Sequence, residues 1–102
     1  MSILLQIDFD FHGPWGESMT QAMRELAESI AEEPGLLWKI WTENPDTHEA
    51  GGIYLFTDRS SADAYLTKHR QRLHSFGIQS VNAKLFAVNA ELSQIDRAPL
   101  PG

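Results

Sequence analysis

His48 and Glu49 are neighbours in a stretch of turn formers, Asn44-Pro45-Asp46-Thr47-His48-Glu49-Ala50-Gly51. A histidine titrates close to neutrality and is the natural proton acceptor of a neutral-pH site, and loops at a sheet end often carry function. Asp8 and Asp10 stand one strand repeat apart. A carboxylate buried there would have a raised pKa and be a rival base; paired with Lys39 or Lys84 it is half of a salt bridge instead. Tyr54 brings a hydroxyl that can donate to a ligand oxygen. Trp38, Trp41, Phe56 and Phe86 can line a pocket, with Lys39 and Glu49 as polar neighbours, or pack as core or interface residues. Together these types suit a ligand pocket with a proton acceptor, or a packed interface beside a solvated His48–Glu49 loop pair.

Other chemistries find less support. There is no cysteine, which excludes disulfides, thiolate zinc sites and a thiol nucleophile. The four histidines are scattered, and His69 and His74 are five apart, on different sides of a helix, so no metal ligand set is expected. His69 reads as a packed helix residue, and His12 is assigned no role. Gly13 and Gly16 are spaced wrongly for a nucleotide loop.

Something must hold the candidate residues in place. The 102 residues, 42% hydrophobic and 22% charged, are enough for one domain with a real core. A net charge of −6 lacks the cationic footprint of a nucleic-acid binder. The one basic cluster, Lys68, Arg70 and Arg72, reads as a helix C-terminus. The N-terminal stretch has no basic n-region and no apolar run reaches membrane-spanning length, so a cytoplasmic protein with no membrane partner is expected.

Residues 3–11, ILLQIDFDF, alternate as a half-buried strand. Met19, Met23, Leu26 and Ile30 recur at helical spacing from about Glu17 to Glu32, ended by Pro34-Gly35. Residues 36–43 and 52–57 read as two strands joined by the turn-rich loop. Asp58 or Ser60 starts a second helix, with Ala62, Tyr65, Leu66, His69 and Leu73 inward and Gly77 at its end. Residues 79–89 form a fourth strand, and residues 90–102 read as an extended C-terminal arm. The order β-α-β-β-α-β predicts an α+β, ferredoxin-like fold: a four-stranded antiparallel sheet with both helices on one face.

The cleanest apolar sets are assigned to the helix-covered face: Ile3, Leu5, Ile7 and Phe9; Trp38 and Ile40; Ile53 and Leu55; Val81, Ala83 and Leu85. The open face then carries Gln6, Asp8, Asp10, Lys39, Trp41, Glu43, Tyr54, Phe56, Lys84 and Phe86. Large rings among charges on an open face predict a second copy of the chain covering it, with a pocket between the two sheets. A β-bulge in the second strand would exchange Trp38 and Trp41.

The runs Glu33-Pro34-Gly35-Leu36-Leu37-Trp38-Lys39-Ile40-Trp41-Thr42-Glu43 and His48-Glu49-Ala50-Gly51-Gly52-Ile53-Tyr54-Leu55-Phe56-Thr57-Asp58 closely resemble the YdhR-type family of monooxygenases. Leu4-Leu5-Gln6, Gly13-Pro14 and Leu92-Ser93-Gln94-Ile95 extend the resemblance over about residues 3–98. It implies a dimeric α/β-barrel protein, similar to the antibiotic-biosynthesis monooxygenases, that oxidises a polyketide- or quinol-like aromatic with O2 and no cofactor. Such chemistry needs a slot for the rings, a base and enolate-stabilising donors. His48, Tyr54 and Asp8 are then the candidates for catalysis, and Trp38, Trp41, Lys39, Phe56, Phe86 and Glu49 for substrate binding. A homodimeric module that only binds a hydrophobic small molecule is the rival reading, and isomerase- or decarboxylase-like proton chemistry a third.

Overall fold

A computed structural model describes residues 1–101 and shows the expected element order. β1 (Ile3–Asp10), α1 (Gly16–Ala31), β2 (Leu36–Asn44), β3 (Glu49–Phe56), α2 (Arg59–Ser75) and β4 (Val81–Ala87) form the β-α-β-β-α-β unit. A short α3 (Ala90–Ile95) lies where an extended arm was expected, started by Asn89, whose side chain accepts the Leu92 N–H. The sheet is antiparallel, in order β2-β3-β1-β4, and the architecture is the α+β, ferredoxin-like fold.

Local chemistry explains the helix ends. Asp58 caps α2 by accepting the Ser61 N–H at 2.8 Å. α1 lacks a side-chain cap of its own; Glu43 of β2 accepts the Gly16 N–H at 2.8 Å, placing a carboxylate at the positive end of the helix and tying it to the sheet. Lys68 of α2 meets the buried Glu33, just after α1, at 2.6 Å. The basic cluster is thus partly structural. The β2–β3 loop is shorter than its composition suggested: Asn44 already pairs with Glu49, leaving a turn over Pro45–His48.

β1 and β4 turn the expected faces to the helices, but β2 and β3 do not. Phe56 and Tyr54 stand opposite Ile3 and Leu5 and are buried with them. Lys39 and Trp41 stand opposite Tyr54 and Gly52, so they too lie under the helices. Trp38, Ile40, Ile53 and Leu55 take the outer face, where Ile40 is 55% exposed. Two causes act. The register shift between Leu36 and Trp38 is a β-bulge that changes the parity of the rest of β2. In β3 the run Ile53-Tyr54-Leu55-Phe56 is apolar on both parities, so alternation could not choose a face. The larger rings go under α2, where Tyr65 packs on Tyr54 and Phe56 with centroids 5.0 and 5.4 Å away.

Leu55 is nevertheless fully buried on the outer face, between Leu4 and Trp38. The Trp38 indole N–H donates to the Pro99 carbonyl at 2.8 Å. Since β4 and β2 are opposite edges, the C-terminal arm spans the width of the sheet to make that bond.

Candidate active site

A cavity of about 740 Å³ lies between the sheet and the two long helices, within the range of small-molecule sites. Trp41 and Tyr54 contribute from the sheet, Met19 and Met23 from α1, and His69 and Leu73 from α2. It opens on the helix-covered face of the sheet, within a single chain.

Lys39 is its most unusual group. The amine sits 3.5 Å from the centroid of the Trp41 ring system and 4.7 Å from that of Tyr54, and it makes no hydrogen bond or ion pair among the described residues. Every sealed-off side-chain nitrogen or oxygen among the described residues has a partner, so the unpartnered amine must open onto the cavity it lines. Burial, helped by the nearby Arg72 charge, lowers its pKa from 10.5 to about 7. A lysine so placed can accept a proton at neutral pH.

Gly52 makes the room. A Cβ there would lie 2.6 Å from Lys39 Cε and 3.1 Å from the Tyr54 ring. Gly52→Ala is therefore expected to push Lys39 off Trp41, cutting turnover at least about tenfold while urea melts show a much smaller effect. Unchanged turnover would show that this position of Lys39 is not needed.

His69 faces the same space. Arg72 Nη2 and Nε lie 3.0 and 3.3 Å from His69 Nδ1. Arginine has only donors, so Nδ1 accepts and the ring proton belongs on Nε2, which is directed to the cavity. Burial first, then the Lys39 and Arg72 charges, lower the pKa to about 3 and keep the ring neutral. Tyr65 stacks on this ring, with centroids 5.0 Å apart, and its hydroxyl donates to that of Tyr54 at 3.0 Å. The pair uses one of its two hydroxyl protons in this bond and leaves the other for a ligand. Burial raises both phenols, Tyr65 to about 12, so both stay protonated.

The structure brings Lys39, Trp41 and Tyr54 together and disperses the other candidates. His48 lies on the exposed turn with φ 57°, its ring 5.3 Å from that of His12, which lines the cavity mouth. Asp8 is on the outer face, receiving the Asn82 amide at 3.3 Å. Glu49 is exposed opposite Asp10. Trp38 lies under the arm, Phe56 belongs to the core, and Phe86 is on the outer face and 47% exposed. Sequence reasoning did not assign a role to His69, Tyr65 or Arg72. Their i, i+4 and i+7 spacing on α2, polar groups at inward helical positions, was the available signal.

No curated protein matches the chain. The sequence profile of the family described as Putative mono-oxygenase ydhR matches residues 4–99, nearly the whole length described above. On that match, the chain belongs to the ydhR putative mono-oxygenase family.

Proposed function

We propose that the protein oxidises a small phenol- or anthrone-like aromatic with O2, in the cavity between sheet and helices, using its own side chains and no prosthetic group. The unpaired, half-basic amine of Lys39 in an aromatic-walled cavity carries this reading. The rings of the substrate stack on Trp41. Lys39 takes the acidic proton, and its new charge stabilises the enolate beside it. The Tyr54 hydroxyl and His69 Nε2–H are the donors available to the enolate oxygen. The enolate then passes an electron to O2, and the two radicals join through a new C–O bond. Loss of water leaves one oxygen atom in the product as a quinone carbonyl.

Oxygen uptake by purified protein over an anthrone and hydroquinone panel tests the proposal. Uptake well above the autoxidation rate is expected with at least one compound. A panel that gives only the autoxidation rate, while an apolar ligand still raises the melting temperature, would favour the binding module.

The active form is proposed to be a homodimer joined through the outer face. That side exposes Ile40 and Phe86 on the sheet, and α3 adds the exposed Leu92 and Ile95 to the chain's apolar surface, the kind of surface that marks association. Light scattering is expected to give the mass of two chains, and the mass of one chain would refute the dimer. No helix among the described residues is long and apolar enough to cross a membrane.

A further inference from the structure

The unpaired amine of Lys39 has a second use. We propose that Lys39 captures aromatic aldehydes and ketones covalently, as a Schiff base held between Trp41 and His69. This rests on the cavity's geometry and would stand even if no oxygen were consumed.

An amine nucleophile needs a lone pair, an open approach and a group to steady the carbonyl oxygen. Lys39 has no carboxylate partner to keep it protonated or occupied. Lys68, by contrast, is held by Glu33 at 2.6 Å. The ionisable groups nearest the Lys39 amine are Tyr54 from β3 and His69 and Arg72 from α2; Asp10 at the end of β1 and His12 after it line the same cavity, and Asp10 makes no ion pair with Lys39. The α1 wall supplies only Met19, Ala22, Met23 and Leu26. None of these neutralises an ammonium, and Arg72 opposes one. At pH 7 about half of a lysine with pKa near 7 carries its lone pair, against roughly one in 3,000 for an ordinary lysine.

The step balances without an oxidant. The nitrogen attacks the carbonyl carbon and forms a C–N bond as the C=O π bond breaks, and one of its two protons passes to the carbonyl oxygen, which becomes a hydroxyl. His69 Nε2–H hydrogen-bonds that oxygen while its charge develops and keeps its own proton. The nitrogen then loses its remaining proton and the carbon its hydroxyl, together as water, leaving C=N. The walls are largely aromatic and apolar, with Phe9, Phe11, Trp41 and Met23 among them, so the favoured carbonyl is attached to an aromatic system.

The test is reductive trapping of 2-naphthaldehyde with sodium cyanoborohydride at pH 7, read by intact mass and peptide mapping. The fastest adduct is expected on Lys39, forming at least about tenfold faster than adducts on Lys68 or Lys84 and about fourfold faster than on an α-amine such as that of Met1. The rate should fall about tenfold per unit as pH drops below about 6. Lys39→Arg should abolish the fast adduct and leave the slow ones. Labelling of Lys39 no faster than the exposed Lys84, or a fast adduct that survives in Lys39→Arg, would overturn the proposal. These readouts need no oxygen chemistry, so their failure is distinct from a failure of oxygen uptake.

Discussion

Lys39→Met is expected to lower the turnover number for oxygen uptake by about 10²- to 10⁴-fold, the usual contribution of a positioned base. The fold should become more stable. Methionine is close to lysine in length, and an unpaired, half-buried amine is costly to hold against apolar walls. A higher melting temperature with lost activity is an outcome that damage to the core would not produce. Lys39→Arg separates two roles of the residue, because arginine keeps the positive charge but cannot give up its proton. It should be as inactive as the methionine variant if the amine is the base, and retain much activity if only the charge matters. In the native protein the active form is the neutral amine, which gains population as pH rises through about 7. The logarithm of kcat/KM should therefore climb by about one per pH unit below 7 and level off above it. An activity that falls as pH rises through 7 would remove Lys39 from the role of base.

Gly51→Ala should damage the fold more than any other single change described above. A Cβ at Gly51 would collide with the Ile7 carbonyl oxygen and lie 2.8 Å from Asp8 Cα, so it would meet the backbone of β1. Backbone in the centre of a sheet cannot rotate aside as a side chain can. The expected cost is about 4 kcal/mol, a large part of the ~5–15 kcal/mol that holds a small domain folded. Urea unfolding checks it, and an unchanged midpoint would mean that β1 and β3 do not approach so closely. The contrast with Gly52→Ala is informative. One glycine lets two strands meet, and the next lets a lysine side chain lie across the sheet.

His69 adds a pH dependence of stability. Its folded pKa of about 3 lies below the ordinary 6.5, so between these values the unfolded chain binds the proton more readily. Acidification from about 6.5 towards 3 therefore draws the equilibrium towards unfolding through this group.

The element order was legible because period changes are strong signals. β1 alternates without interruption from Leu5, and α1 carries an apolar stripe bounded by Pro34-Gly35. The site was less legible for reasons local to β2 and β3. A single extra residue near Leu37 reverses which of Trp38 and Trp41 points inward, and nothing in LLWKIWTE marks the bulge. In β3, apolarity on both parities hid which face lies under the helices, and nothing in the sequence marks the Trp38–Pro99 bond that ties the C-terminal arm to β2 beside Leu55. The short α3 within that arm lacked a periodic stripe because its Leu92 and Ile95 stay exposed. The Gly51-Gly52 pair did signal a place that tolerates only small residues, but its meaning depended on which strand and which side chain lay opposite. His69 was hidden by its surroundings in sequence, since an inward histidine beside Tyr65 and Leu73 looks like packing until a cavity is seen against it.

The most direct test of the central claim, that chemistry happens between the sheet and the helices of each chain, is a crystal structure with a bound anthraquinone-type product. The ring system is expected on Trp41, with a quinone oxygen within hydrogen-bonding distance of Lys39 Nζ and the donors Tyr54 and His69 beside it. Density for the ligand on the outer face, against Phe86 or between two copies of the chain, with the Lys39 cavity empty, would contradict it.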